Sequence, residues 1–85
     1  MKKVEKLIMR LLANPTPSEM SAEDVKMILE FEGWWLDRST GSHFIFKNDG
    51  GTIVLPIHHG VIKKTYLKNE IINKLNLEEK YGKDK

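Results

Sequence analysis

A Gly-Ser-His triplet, Gly41 to His43, is the segment whose residue types best suit chemistry. Histidine changes charge near neutral pH, so it can both take and give a proton. Arg38 precedes the triplet and Lys47 follows it. A histidine can deprotonate a ribose 2′-hydroxyl, whose oxygen then attacks the adjacent phosphate. Cations such as these two can stabilise the negative charge that grows on the phosphate. The spacing alone also fits a histidine that merely begins a strand, so both interpretations stay open.

Two more histidines, His58 and His59, are neighbours in the chain. In an extended segment their side chains point to opposite sides, so they cannot both bind one metal ion. A set of His43, His58 and Asp49 has no recognised ligand spacing. Ser42 is not part of any turn motif that supports a serine nucleophile. We therefore expect neither a metal site nor a cofactor.

Lys63 and Lys64 precede the last predicted helix. Backbone N–H groups and the helix dipole favour anions at a helix N-terminus, so these lysines are candidates for contacts with phosphate. An ordinary solvated helix entry explains the same two residues. The candidate substrate-binding set of the sequence is therefore Arg38, Gly41, Ser42, Lys47, His58, Lys63 and Lys64.

Apolar residues recur with helical spacing in three segments, 4–12, 25–29 and 67–75. Prolines within 14–18 end the first helix. The second begins near Ser21, which forms a short capping box with Asp24, and it stops at Gly33. The third begins at about Thr65, and the segment 78–85 is expected to be frayed. The loop between the last strand and this helix is expected to cover 58–64.

Three strands are predicted between the second and third helices, at 34–39, 43–47 and 52–57. The segment 48–51, Asn-Asp-Gly-Gly, is typical of a hairpin turn. Short hairpins make the sheet antiparallel, and its helices should cover one face, which is α+β architecture. The order α-β-β-β-α is that of the double-stranded RNA-binding fold, with an extra N-terminal helix. We expect one domain over 1–85: the extra helix at about 3–13, the core at about 21–77 and the frayed tail.

Strand alternation predicts which side chains share a face. Phe44 and Phe46 should face the helices together with Ile53, Leu55 and Ile57. His43, Ile45 and Lys47 then lie on the uncovered side of the sheet, with His58 as a further member. Trp34 and Trp35 point to opposite faces, so one of them should lie outside the main core. An exposed tryptophan can stack on a base or anchor a protein partner, although burial under a loop is more common.

Composition limits the class of protein. The chain has 85 residues and no cysteine, so its core is thin and it has no disulfide. Charged residues interrupt the apolar N-terminal run, no cleavage site follows it, and no apolar run reaches the roughly 20 residues of a membrane span. We therefore expect a soluble cytoplasmic protein without a membrane partner. The net charge is +2, but 34–76 carries six bases against three acids, which favours a polyanionic partner.

The segment "RSTGSHFIFKN" resembles the HicA toxin family, the small ribonucleases of bacterial and archaeal toxin–antitoxin pairs. It matches the family pattern of an arginine, two residues, Gly-Ser-His, an apolar pair and a base. "TIVLPIHHG" is similar to the family's strand with a proline and a nearby histidine. "IKKTYLKNEIINKL" resembles the lysine-rich entry to the last helix. The resemblance covers about residues 22–77.

The resemblance implies a double-stranded RNA-binding-like fold and metal-independent cleavage of mRNA. It implies that His43 is the catalytic residue and that Gly41 shapes the approach to it. It also implies a HicB-type antitoxin that covers the active site, with DNA contacted only through that antitoxin. Many members have a second histidine where this chain has Phe44, and the helix at Val4–Ala13 lies outside the smallest members.

Three functions remain open at the level of sequence. The first is a ribonuclease toxin that uses His43 as general base or acid. The second is an RNA-binding module that does not cleave, and the third is a module that binds only a protein partner. His58, His59 and Lys47 are equal candidates for the group that protonates the leaving 5′-oxygen.

Overall fold

The computed structural model describes residues 2–81. Its elements, in chain order, are α1 (Lys3–Leu11), β1 (Glu19–Ser21), α2 (Ala22–Phe31), β2 (Trp35–Thr40), β3 (His43–Asn48), β4 (Gly51–Pro56), β5 (Val61–Lys63), α3 (64–75) and α4 (Leu77–Tyr81). Helix α3 has α-helical turns, Lys64–Tyr66 and Asn73–Leu75, on either side of a π-helical stretch, Leu67–Ile72. Within residues 2–81, no helix combines the length and the apolar character that crossing a membrane requires.

The main sheet has three antiparallel strands in the order β2-β3-β4. This confirms the predicted α+β fold with its central α-β-β-β-α order and additional N-terminal helix. Pro56 ends the edge strand β4, a position where its missing N–H leaves no gap in the hydrogen-bond ladder of the sheet. In this strand order, β3, which begins with His43, is the central strand and has a hydrogen-bonded neighbour on each side.

The two hairpin turns of this sheet are two residues long. Gly41 has φ 50° and links Thr40 to His43, and glycine at the first central position with positive φ is the mark of a type II′ turn. In the second turn, the Asn48 side-chain oxygen accepts a hydrogen bond from the Gly50 N–H at 2.8 Å. The second turn was predicted from sequence, and both turns fix the register of β3 against its neighbours.

One face of the sheet is buried and the other is not. Phe46, Ile53 and Leu55 are fully buried, whereas Val54, between the last two, is 46% exposed. Side chains alternate across a strand, so this contrast confirms the predicted parity, with the phenylalanine side toward the helices. His43 therefore lies on the other side of the sheet, which no helix within residues 2–81 covers.

A second sheet pairs β1 with β5 and was not predicted. Glu19, Met20 and Ser21 lie opposite Lys63, Ile62 and Val61. The expectation of a loop over 58–64 was therefore wrong for 61–63. His58 and Val61 exchange both backbone hydrogen bonds across a tight turn, in which His59 and Gly60 have φ 51° and 79°. Positive φ at both central positions is the type I′ pattern, which matches the twist of paired strands.

Helix α1 belongs to the core. Ile8 and Leu11 are fully buried, and the helix packs against α2 and α4. The amphipathic spacing predicted this buried stripe but did not say what it would contact. The extra N-terminal helix therefore thickens the core.

Helix α2 begins and ends where the sequence predicts. The Ser21 hydroxyl accepts a hydrogen bond from the Asp24 N–H at 3.1 Å, and Gly33 follows the helix with φ 91°. Leu67, Ile71 and Leu75 of α3 are buried as their spacing indicates.

Helix α4 is anchored to the C-terminal end of α2, which differs from the frayed segment expected over 78–85. The Glu32 side chain is only 6% exposed, and its carboxylate accepts hydrogen bonds from Lys80 Nζ at 2.7 Å and from the Tyr81 hydroxyl at 2.6 Å. The helix thus continues through Tyr81, and the rest of the expected tail, 82–85, lies outside the described residues. The hydrogen bond to Glu32, with burial and the charge of that carboxylate, raises the pKa of Tyr81 from 10.0 to about 12.

We expect Tyr81→Phe to remove a pH-dependent part of the free energy of unfolding. Because the folded state has the higher pKa, the contribution of the phenol is complete below about pH 10 and is lost as pH rises through about 12. The variant should be about 1 kcal/mol less stable than the parent at neutral pH, and the difference should shrink above about pH 10. Urea denaturation across this range measures it, and an unchanged difference at high pH would contradict the anchoring role.

Candidate functional site

The uncovered side of the main sheet carries three cross-strand rows of side chains. Residues opposite one another on neighbouring strands share a face, so the strand register defines the members of each row. We call this surface the open face; its rows are Trp35, Lys47 and Thr52, then Arg38, Ile45 and Val54, then Thr40, His43 and Pro56.

His43 is exposed at the end of the open face nearest the Gly41–Ser42 turn. The Ser42 hydroxyl lies 3.3 Å from His43 Nδ1. When Nδ1–H donates to that hydroxyl, Nε2 keeps its lone pair and can accept a proton; the other tautomer makes Nε2 a donor. The Ser42 carbonyl accepts a hydrogen bond from the Ile57 N–H at 2.6 Å, which holds the turn against the chain leaving β4. His43 is thus accessible but attached to a fixed backbone.

Arg38 reaches the open face because β2 contains a bulge. The register shifts between Leu36 and Arg38, so Asp37 is an extra residue without a partner in β3. A bulge reverses the alternation that follows it. Plain alternation would place Arg38 on the same side as Leu36, which packs against the core. Instead, Arg38 lies opposite Ile45 and its side chain is 66% exposed.

Asp37 connects the two cations of this surface. Its Oδ2 lies 3.8 Å from Arg38 Nε and 3.9 Å from Lys47 Nζ. All three side chains are at least a third exposed, and ion pairs of this kind contribute little to stability. The arrangement leaves Arg38 and Lys47 able to turn toward a ligand phosphate.

Trp35 and Val54 make the middle of this surface partly apolar. Trp35 is 49% exposed and lies directly across from Lys47. Trp34 is half-buried against the core, and one of its ring carbons lies near Gly51. The sequence predicted that the two tryptophans would separate, and the structure identifies Trp35 as the outer one.

The remaining histidines lie beyond the end of β4. His58 is exposed two residues past Pro56, the cross-strand partner of His43. Side chains two residues apart in an extended chain share a face. His59 occupies the left-handed turn, and its ring centroid is 6.3 Å from that of His58. The register therefore brings His58, rather than His59, toward the end of the open face that His43 occupies.

Lys63 and Lys64 are placed elsewhere. Lys63 lies on the small sheet, where its Nζ is 2.9 Å from Glu19 Oε1. Lys64 begins α3, is exposed, and donates its backbone N–H to the Ser18 carbonyl. The structure thus brings Arg38, His43 and Lys47 together on one face, with Gly41 and Ser42 in the adjoining turn.

Phe44 occupies the position at which the resemblance described above implies a second histidine. It points to the core side of the sheet, half-buried, with its ring edge-to-face against Phe46 at 5.8 Å. Its side chain is therefore on the face opposite His43. The departure changes the packing under the sheet rather than the polarity around His43.

Within residues 2–81, no three or more histidine, aspartate or glutamate side chains are grouped as a metal would require. A set of His43, His58 and Asp49 is therefore not assembled. Sequence reasoning also missed Asp37 and Thr40 as members or neighbours of the site. A turn of two residues, Gly41 and Ser42, would have identified Thr40 as the cross-strand partner of His43. No feature of the local sequence identifies the bulge at Asp37.

The fold and the open face define a small α+β domain with an exposed histidine and cations on one side of a three-stranded sheet. Among known protein families, the model of the HicA toxin of bacterial toxin–antitoxin systems matches residues 22–77. The chain belongs to the HicA toxin family, which makes it the toxin of a toxin–antitoxin pair and gives it an antitoxin partner. Searches of curated proteins and of solved structures gave no significant match. The match begins at α2, so α1 lies outside the part that the family shares.

Proposed function

We propose that the chain is an endoribonuclease that cleaves mRNA, with His43 as its catalytic residue. The observation that carries this proposal is the register that sets exposed His43 on the same face as Arg38 and Lys47. A proton-transfer group and two cations on one accessible surface suit attack on a phosphodiester. Family membership supports the choice of RNA, because the resemblance implies mRNA cleavage without a metal.

In the proposed reaction, His43 Nε2 takes the proton of the ribose 2′-hydroxyl. The 2′-oxygen forms a bond to the adjacent phosphorus, and the bond from phosphorus to the 5′-oxygen of the next nucleotide breaks. That oxygen takes up a proton as it leaves. The products are a 2′,3′-cyclic phosphate and a 5′-hydroxyl end. The Ser42 hydroxyl, 3.3 Å from Nδ1, orients the ring for this step.

Arg38, in the row next to His43, stabilises the charge that develops on the phosphate oxygens, and Lys47, one row further, holds a neighbouring phosphate of the RNA. Space above Gly41 lets the RNA backbone approach, since even a Cβ there would meet nothing within 4 Å. Lys63 and Lys64 bind more distant phosphates or belong to the solvated surface. With a net charge of only +2, RNA affinity should be modest and should fall steeply with salt.

A HicB-type antitoxin is the proposed protein partner, and it neutralises the toxin by covering the open face. The toxin contacts DNA only through this antitoxin. The proposed compartment is the cytoplasm, where mRNA and antitoxin are both present.

Incubation of the purified chain with a defined mRNA in the presence of EDTA tests the proposal. Cleavage to 5′-hydroxyl ends supports it. Salt-sensitive RNA binding without products favours the non-catalytic RNA-binding module instead. If the chain neither binds nor cuts RNA, yet holds the product of a neighbouring gene tightly, it is a protein-interaction module.

We expect His58→Ala to slow cleavage about 100-fold, because His58 is the best-placed group to protonate the leaving 5′-oxygen. The matched control is His59→Asn, since asparagine tolerates the left-handed backbone of that turn. Initial cleavage rates of the two variants on the same RNA measure the difference. If the two variants cleave equally fast, the acid is a different group.

A further inference from the structure

We propose that Trp35 stacks against an unpaired base of the RNA, and that this contact holds the single strand on the open face near the cut. This inference rests on the proposed ribonuclease function. It starts from the position of Trp35, which is 49% exposed on the same face as His43 and directly across from Lys47.

The surroundings of Trp35 favour single-stranded RNA as the occupant. An aromatic ring beside cations is the usual combination for single-stranded nucleic acid, because the ring stacks on a base and the cations hold the backbone. Lys47 lies in the same cross-strand row and Arg38 in the next. Asp37 offsets part of this charge, but its contacts to both cations are 3.8 Å or longer and exposed. A phosphate can therefore displace them at low cost.

The register also fixes how far the stacked base lies from the reacting phosphate. Trp35 is paired with Lys47, four residues along β3 from His43. At about 3.3 Å per residue, this separation is roughly 13 Å. Stacked nucleotides of one strand are about 3.4 Å apart, so the base on Trp35 is at most about four nucleotides from the cut. The inferred contact is therefore a base-stacking subsite rather than part of the reaction.

The test compares Trp35→Ala, Trp35→Phe and Phe31→Ala on an RNA with one mapped cleavage site. Phe31 is the matched control, since it is an aromatic side chain 46% exposed on α2, away from the open face. Trp35→Ala should raise KM about tenfold and leave kcat within about twofold. Trp35→Phe should have a KM close to that of the parent, because phenylalanine can still stack on a base. Phe31→Ala should have the same KM and kcat as the parent.

A scan of single abasic nucleotides along the same RNA locates the base. One abasic position within about four nucleotides of the cut should raise the KM of the parent about tenfold. The same abasic position should not raise the KM of Trp35→Ala any further. Equal KM for parent and Trp35→Ala, or a loss in Trp35→Ala that no abasic position reproduces, overturns the inference.

Binding of the uncut RNA to His43→Ala, with and without Trp35→Ala, separates this inference from the proposed function. If the parent does not cleave but RNA binding still depends on Trp35, the ribonuclease function fails and the stacking contact stands. If Trp35→Ala weakens only binding of the antitoxin, the surface binds protein and the inference fails.

Discussion

His43→Ala should reduce RNA cleavage by at least about 100-fold and abolish growth arrest, without loss of the fold. Proton transfer by a positioned side chain typically contributes about 10² to 10⁴ in rate. The His43 side chain is exposed at the end of a strand, next to the Ser42 hydroxyl, so its removal leaves no cavity. Initial rates on a defined RNA, with circular dichroism as a check of folding, measure both parts of the expectation.

His59→Asn is the matched control for this loss. It removes an exposed histidine a short distance along the chain and keeps the left-handed turn. It should cleave RNA at close to the parental rate. If His43→Ala cuts RNA and arrests growth as well as the parent does, His43 is not the catalytic residue, even though the chain is a ribonuclease.

Phe46→Ala should destabilise the domain by about 3 to 5 kcal/mol, whereas Val54→Ala should cost under about 1 kcal/mol. Phe46 is fully buried on the central strand and packs edge-to-face with Phe44. Val54 is on the same sheet but is 46% exposed. A domain of 85 residues is typically stable by about 4 to 13 kcal/mol, so the first change alone can unfold it.

Urea denaturation of the two variants tests the assignment of the two faces independently of any activity. Similar losses for Phe46→Ala and Val54→Ala would mean that both faces of the sheet are covered. In that case, His43 would not lie on an accessible surface, and the proposed site would lose its basis.

Local patterns predicted the parts of the fold that depend on near neighbours in sequence. The Ser21 cap, the stop at Gly33 and the hairpin at Asn48 all rest on contacts within three residues. The face of His43 also followed from alternation, because the apolar set that includes Phe46 needs burial. These are short-range effects, and a sequence displays them directly.

Contacts between distant residues were not predictable in the same way. The strand β5 exists because Lys63 and its neighbours pair with Glu19 and its neighbours, 44 residues earlier. Helix α4 is held by Glu32, 48 and 49 residues before its partners Lys80 and Tyr81. Short segments such as these have weak local preferences, and tertiary pairing decides their structure.

The site itself was predicted in part. Gly-Ser-His indicated the histidine, and alternation placed Lys47 on the same face of the sheet. Arg38 joins them only because the bulge at Asp37 reverses the alternation of β2. A bulge depends on the pairing of two strands rather than on one segment, so sequence alone named Arg38 without its face. The position of Trp35 across from Lys47 likewise required the register.

An RNA with one 2′-deoxynucleotide at the mapped cleavage position tests the proposed chemistry most directly. The 2′-hydroxyl is the nucleophile that His43 is proposed to activate, so the substituted RNA should bind normally but resist cleavage at that position. The unsubstituted RNA should give a 2′,3′-cyclic phosphate and a 5′-hydroxyl end. Cleavage of the deoxy-substituted RNA at the same position would show that the attacking oxygen comes from water, and would contradict the proposed reaction.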